Sequence, residues 1–227
     1  MSIKDNLLNI NSSLPKGVNL IAVSKFQPID TIKEAYDAGQ RIFGENRVQE
    51  LVSKQPVLPD DIEWHLIGTL QTNKVKYIAP FISMIQSVDS LKLLQEINRQ
   101  AEKNARTIRV LIEVHIAEEE SKHGFSVAEC ESLFSSRIIG QFAHIQVCGL
   151  MGMATFTDDT EQVKREFGLL KSLFDKIKAM PDTDKLIFTE LSMGMSDDYH
   201  IAIEKGSTMV RIGTALFAPP LKGARGM

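Results

Sequence analysis

Lys25 closes a short apolar run in LIAVSKFQP. Near the far end of the chain, SMGMSDDYHIAIEKGSTMVRIGTALF gathers Ser192, Gly194, Ser196, Arg211, Gly213 and Thr214 around its last turns and last apolar run. These residue types suit one kind of ligand. A lysine in its neutral form attacks an aldehyde. Small residues let backbone N–H groups approach an anion, and a helix N-terminus adds its dipole. An arginine supplies a charge that persists at neutral pH. Together the two segments fit a phosphorylated aldehyde, provided the fold brings its first and last strands side by side. Alone, each has an ordinary reading: Lys25 is a solvated strand-end lysine, Arg211 an ion-pair partner, and the glycine and threonine after it a turn.

The segments between them alternate between strand-like and helix-like. Residues 19–24 form the first apolar run, after which Pro28 and Asp30 open a helical stretch, IDTIKEAYDA, that Gly39 is placed to stop. RIFG, EWHLIG and FISMIQS are the next three strands, separated by a short polar helix over 48–54 and by NKVKYIA. Asp89 is placed to cap a helix carrying Leu94, Ile97 and Ala101 at helical spacing. TIRVLIEVHI is almost wholly apolar, as expected of a strand covered on both faces of a parallel sheet. A charged loop, AEEESKHGF, then leads to the helical SVAECESLFSS and to a sixth strand, IQVCGLM. Asp158 with Glu161 has the spacing of a capping box, and Val163, Phe167, Leu170, Phe174 and Ile177 make an amphipathic stripe suited to packing. LIFTELS is the seventh strand, Ser196 is placed to cap a short helix closed by Gly206, and TMVRIG is the eighth.

This alternation predicts an α/β fold: a single (β/α)8 TIM-type barrel with an extra N-terminal helix, forming one domain over residues 1–227. An open dinucleotide-binding sheet is excluded, because SKFQP rather than GxGxxG follows the first strand. In a closed barrel the eighth strand pairs with the first, and side chains alternate between interior and helix-facing sides. Ile21, Val23 and Lys25 share one parity, as do Met209, Arg211 and Gly213. If both sets face inward, Lys25 and Arg211 become neighbours at the C-terminal mouth. Barrel enzymes place their chemistry there, and the loops after strands seven and eight form the usual phosphate seat. Asp197 and Asp198 would repel a phosphate unless they point to solvent as first-turn helix residues.

Composition narrows the function. Hydrophobic residues make up 43% of the 227 and charged ones 24%, the balance of a soluble globular chain. A net charge of -3 argues against a broad grip on nucleic acid. The N-terminus has no sustained apolar stretch, so no signal peptide is expected, and no window approaches the roughly 20 apolar residues that span a bilayer. Cys130 and Cys148 have no metal-ligand spacing, which fits reduced thiols and a cytoplasmic setting. The five histidines are scattered, so no metal site is expected.

Pyridoxal 5'-phosphate matches the ligand class: an aldehyde for Lys25, a phosphate for the glycine-rich loops and a ring nitrogen available to Arg211. A permanently charged guanidinium at that nitrogen keeps it unprotonated and weakens the ring as an electron sink. At these residues the chain resembles the pyridoxal-phosphate homeostasis protein family, related to the barrel domain of alanine racemase. The resemblance runs from Leu20 to Phe217 through AVSK, FGENRVQE, WHLIGTLQTNK, GLMGMA, SMGMSDDY and GSTMVRIGTALF. It implies a barrel carrying pyridoxal phosphate as a Schiff base on Lys25. Arg211 would face the pyridine nitrogen, Ser196, Gly213 and Thr214 would hold the phosphate, and Ser192, Gly194, Asn46 and Met193 would complete the pocket. Phe26 and Gln27 replace the Thr-Lys common after the lysine in the family, a change at the mouth of the site.

The resemblance implies a role in vitamin B6 balance without catalytic turnover, so no catalytic residue is expected. A monomer is expected, with apo forms of pyridoxal-phosphate enzymes as partners. The alternatives are a weak amino-acid racemase and a cofactor-free barrel enzyme acting on phosphorylated sugars. Two residue-level readings oppose the racemase. APPLKGARGM is too short for the second domain with which such racemases bring a tyrosine across the cofactor, and none of the three tyrosines is placed to act as that base.

Overall fold

Eight apolar segments, each followed by a helix or turn, become eight parallel strands in the computed structural model, which describes residues 2–118, 123–180 and 186–217. The strands are β1 (Asn19–Val23), β2 (Ile42–Glu45), β3 (Glu63–Leu66), β4 (Met84–Val88), β5 (Ile108–Glu113), β6 (Ile145–Met151), β7 (Leu186–Ser192) and β8 (Met209–Ile212). They pair in chain order, and β8 returns to β1, closing the barrel. Helix α1 (Ile3–Ser13) precedes the first strand. The connections carry α2 (Ile29–Asp37), α3 (Val48–Lys54), α4 (Val75–Ile78), α5 (Leu91–Lys103), α6 (Val127–Ser135), α7 (Thr160–Lys178) and α8 (Tyr199–Glu204). The expected barrel and its extra N-terminal helix are therefore both present. The expectation of one domain over 1–227 runs past residue 217, so its final stretch lies outside the described residues.

Two apolar clusters follow from strand alternation. Ile21, Met84, Leu111, Cys148, Met151 and Met209 pack together inside the barrel. Leu20, Ala22, Val210 and Ile212 have the opposite parity and join the larger cluster between sheet and helices. The stripe on α7 lies there too, with Val163, Phe167, Leu170, Phe174 and Ile177 all buried. Close strand approach sets one residue type: a Cβ on Gly149 would stand 1.7 Å from the Glu190 carbonyl oxygen.

Local chemistry shifts several boundaries. Ser90, not Asp89, caps α5, its hydroxyl accepting from the Leu93 N–H. Asp159, not Asp158, caps α7, taking the N–H groups of Glu161 and Gln162. Neither Asp89 nor Asp158 stands at the residue preceding its helix, so neither can reach the free N–H groups of the first turn. Strand β5 ends at Glu113, before the apolar run does, and Val114 beyond it bridges Phe125 while its N–H still donates to the Met151 carbonyl. NKVKYIA opens in a 3-10 turn over Thr72–Lys74 and continues as the single α turn of α4. The charged loop over 117–125 lies partly outside the described residues. Both cysteines are free and buried, and burial pushes the Cys130 thiol up to about 12. Among the described residues no helix is long and apolar enough to cross a membrane.

Candidate functional site

The pairing of β8 with β1 places Ile21 opposite Arg211. Ile21 faces the barrel interior, so Arg211 points inward as well. The chain leaves β1 through Ser24 and presents Lys25 at the C-terminal mouth. A cavity of about 300 Å³ opens there, lined by Lys25, Asn46, Ser196, Arg211, Gly213 and Thr214 among others. Six of the residues singled out in the sequence thus share one cavity, at the lower end of the roughly 300–1,000 Å³ typical of small-molecule sites.

Arg211 is fixed by its neighbours. Its Nη1 donates to Ser192 Oγ at 2.6 Å and its Nη2 to the Gly152 carbonyl at 3.0 Å. Burial pulls its pKa down to about 10, against the charges of Asp198 and Glu113, so it stays a cation at neutral pH. Ser192 lies behind the arginine rather than along the cavity. Its hydroxyl passes on to Gln86 Oε1 at 2.7 Å, and Gln86 Nε2 meets His65 Nδ1 at 2.9 Å. Gln86 Nε2 can only donate, so Nδ1 accepts and the ring proton sits on Nε2. Burial drives the His65 pKa down to about 3, keeping the ring neutral. A polar chain across the barrel interior therefore aims the guanidinium at the mouth. Glu113, on the same inward face as Leu111, is pushed up to about 7 by burial and by the charge of Asp89.

The loop after β7 departs from expectation in three places. Met193 is buried in the core, and Met195 lines the cavity instead. The Met193 N–H continues the β7–β8 pairing by donating to the Met209 carbonyl, which turns its side chain away from the mouth. Gly194, at φ +94°, supplies the turn that follows, and its carbonyl accepts from the Arg211 N–H at 3.0 Å. Ser196 does not cap α8, which starts only at Tyr199 with Asp198 before it. Ser196 begins the preceding turn and faces the cavity. Asp197 is exposed, as anticipated, but Asp198 folds inward, its carboxylate accepting from the Met195 N–H. Burial raises the Asp198 pKa, while that N–H and the charge of Arg211 lower it.

The cavity suits a guest with an anionic group and an apolar body. Among the described residues, the N–H groups of Ser196, Thr214 and Ala215 have no backbone acceptor. Asn46 Oδ1 is buried without a hydrogen-bond partner. Val23, Ile67, Met153, Met195 and Phe217 supply apolar walls, and Phe26 and Gln27 sit at the rim. Of these, Val23 is placed by its parity with Lys25, whereas Ile67, Met153, Met195 and Phe217 carry no assignment in the sequence, although LIG, GMA and GMS stand out there as motifs. An apolar side chain in a loop carries no chemical signal until the fold aims it. Lys25 stands exposed at the rim. The remaining ionisable group along the described lining is Arg211. No cluster of metal-ligating side chains occurs among the described residues.

Comparison with known proteins gives a consistent picture. Residues 1–219 match the family described as alanine racemase, N-terminal domain. The pyridoxal phosphate homeostasis protein of Pasteurella multocida is 39% identical over 96% of this chain and 97% of its own length. That of Aquifex aeolicus is 41% identical over 87% of this chain and 85% of its own. The structure of PipY from Synechococcus elongatus with PLP bound superposes with a TM-score of 0.85 at 36% identity, covering 95% of this chain and 99% of that one. Alanine racemase from E. faecalis shares the fold at 17% identity and a TM-score of 0.75, over 96% of this chain and 58% of the racemase.

Proposed function

The chain belongs to the pyridoxal phosphate homeostasis protein family, and from that premise we propose that it binds pyridoxal 5'-phosphate at the barrel mouth as a Schiff base on Lys25. It serves vitamin B6 balance as a carrier, without catalytic turnover. The observation that carries this reading is the convergence of Lys25, Arg211, Ser196 and Thr214 on one cavity. When bound, the cofactor supplies an aldehyde that condenses with the neutral Lys25 amine, forming a C=N bond and releasing water.

The protein's own residues do the rest. Ser196, Thr214 and the unpaired N–H groups beside them hold the phosphate. Asn46 offers its unpartnered side-chain oxygen, an acceptor, to the pocket. Arg211, fixed by Ser192 and Gly152 and charged at neutral pH, takes the ring nitrogen and keeps it unprotonated. That choice weakens the ring as an electron sink for chemistry at an amino-acid α-carbon. Such chemistry also calls for a second positioned proton carrier, and along the described lining Lys25 and Arg211 are the ionisable groups. Tyr36 is committed to Asp61 on the outer surface, Tyr77 is exposed on α4, and Tyr199 starts α8 behind the Gly194 turn.

The test is spectroscopic. Protein loaded with pyridoxal phosphate should absorb in the visible, lose that band on borohydride reduction, and carry the reduced adduct on the Lys25 peptide. Lys25→Ala should show neither band nor adduct. An adduct on Lys74, Lys76 or another lysine would reject the site.

A further inference from the structure

Lys25 is flanked by two backbone groups that are both tied to one ion cluster built from the end of β2 and from α3. The Ser24 carbonyl accepts from Lys54 Nζ at 2.9 Å. Lys54 Nζ also donates to Glu45 Oε1 at 2.8 Å and to Glu50 Oε2 at 2.9 Å. Ser24 Oγ donates to Glu45 Oε1 at 2.7 Å. On the other side of Lys25, the Phe26 N–H donates to that same Glu50 Oε2 at 2.8 Å. The Lys54 and Glu45 side chains are only 8% and 0% exposed, so their pair is interior, while Glu50, 21% exposed, carries the cluster out to the Phe26 turn at the surface.

The clamp holds a conformation the chain would not adopt unaided. Phe26 has φ +62°, in the left-handed region that a bulky residue seldom enters. The Gln27 N–H closes the turn onto the Ser24 carbonyl at 3.0 Å, and the Arg47 guanidinium lies 5.0 Å over the Phe26 ring. The turn fixes the direction in which the Cα–Cβ bond of Lys25 leaves the backbone. All three donors of the Lys54 ammonium are occupied, so Lys54 does not compete for an aldehyde.

We propose that Lys54, Glu45 and Glu50 are positioning residues that set the presentation of Lys25 to the ligand. The clamp takes the role of Lys25 from the function proposed above, but its own geometry can be tested without ligand. A positioning device of this kind acts on how fast Lys25 captures an aldehyde, not on whether the barrel folds.

Glu50→Ala removes the acceptor of the Phe26 N–H and replaces no residue that lines the cavity. Its Phe26 amide should exchange with deuterium at least tenfold faster in the unloaded protein, while the amides of Ile21 and Ala22 keep wild-type rates. Capture of pyridoxal phosphate, followed by borohydride trapping and mapping of Lys25, should slow by about tenfold. Glu50→Gln keeps a carbonyl acceptor in place and should restore the capture rate to within about threefold of wild type. Lys54→Met risks stranding the Glu45 charge in the interior, so it is paired with Lys54→Met/Glu45→Gln. Both should slow capture as Glu50→Ala does. Unchanged Phe26 exchange or unchanged capture in Glu50→Ala overturns the clamp. If the wild-type protein traps the cofactor on another lysine, the cofactor reading fails, and the Phe26 exchange rates still decide whether the clamp exists.

Discussion

Ile21 on β1 lies directly opposite Arg211 on β8. Ile21 belongs to the apolar cluster inside the barrel, and this one register therefore points the guanidinium inward and delivers Lys25, further along the same strand exit, to the same mouth. Shifting the pairing by one residue would turn Arg211 into the helix-facing layer and dissolve the site. Residues at opposite ends of the chain become one cavity through barrel closure alone.

Ser192→Ala should damage both stability and affinity. Its hydroxyl accepts from Arg211 at 2.6 Å and donates to Gln86 at 2.7 Å, both within the interior. Leaving buried polar groups unpaired costs roughly 1–3 kcal/mol, readable as a lower urea midpoint at unchanged slope. Freed from its aim, Arg211 should hold pyridoxal phosphate about tenfold less well. Ser196→Ala and Thr214→Val act at the rim of the cavity. They should weaken retention by roughly ten- to hundredfold, the equivalent of a charge-assisted hydrogen bond, with little change in the midpoint. Unchanged affinity in all three would reject the cradle.

The barrel and the meeting of Lys25 with Arg211 can be read from sequence, because strand alternation and parity are periodic properties of residue order. Caps misplaced by a single residue, at Asp89 and Asp158, mark where periodicity stops being informative: several acceptors stand in a row, and only the backbone path chooses between Ser90, Asp159 and their neighbours. Met193 was misjudged for a related reason. The β7–β8 pairing extends past Ser192, and that extra hydrogen bond reverses which methionine of SMGMS faces the cavity. Least legible were Lys54 and Gln86. Each sits in an unremarkable helix or strand and acquires a role only from partners distant in the chain, Ser24 for one and Ser192 for the other.

Acid sensitivity should report on His65. Its pKa falls from 6.5 to about 3 on folding because burial penalises the charged ring. Below pH 6.5 the unfolded chain takes up a proton that the folded one refuses, so this contribution is complete above that pH and is lost as pH falls towards 3. The limiting slope is about 1.4 kcal/mol per pH unit. Glu113 works in the opposite sense, since its pKa is raised from 4.5 to about 7. Its contribution is present below 4.5 and lost as pH rises through 7. The two oppose each other in the overlap, so the informative quantity is wild type minus His65→Asn, whose side-chain oxygen can still accept from Gln86. Between pH 6 and 4 wild type should lose about 1 kcal/mol more per unit than the variant. Parallel curves would show that His65 is not the group responsible.

Gly194→Ala should break the phosphate loop locally. The residue adopts φ +94°, and an added Cβ would meet Ala202 Cβ at 2.5 Å and Tyr199 Cα at 2.9 Å. Both the backbone strain and the contact push the Met195–Asp198 turn away from α8, at roughly 1–3 kcal/mol. The expected result is a lowered melting temperature together with loss of retention larger than that of Ser196→Ala, because the whole turn moves rather than one hydroxyl. Wild-type retention in a folded Gly194→Ala protein would mean that this turn does not hold the phosphate.

The carrier reading makes a demand on exchange. Lys25 is exposed at the rim, so a free amine can approach the lysine-bound carbon without first opening the barrel. Turnover at an amino-acid α-carbon, by contrast, draws on the ring as an electron sink and on a second proton carrier. The charged Arg211 opposes the first, and along the described lining it is the one ionisable companion of Lys25. Loaded protein mixed with an apo transaminase should therefore restore transaminase activity at a rate that rises with added primary amine, measured beside an equal concentration of free cofactor. D- and L-alanine incubated with the same loaded protein should interconvert no faster than with Lys25→Ala. Robust racemisation that disappears in Lys25→Ala would replace the carrier with an enzyme. Absence of transfer at any amine concentration would refute delivery and leave cofactor sensing, with the bound state itself as the signal.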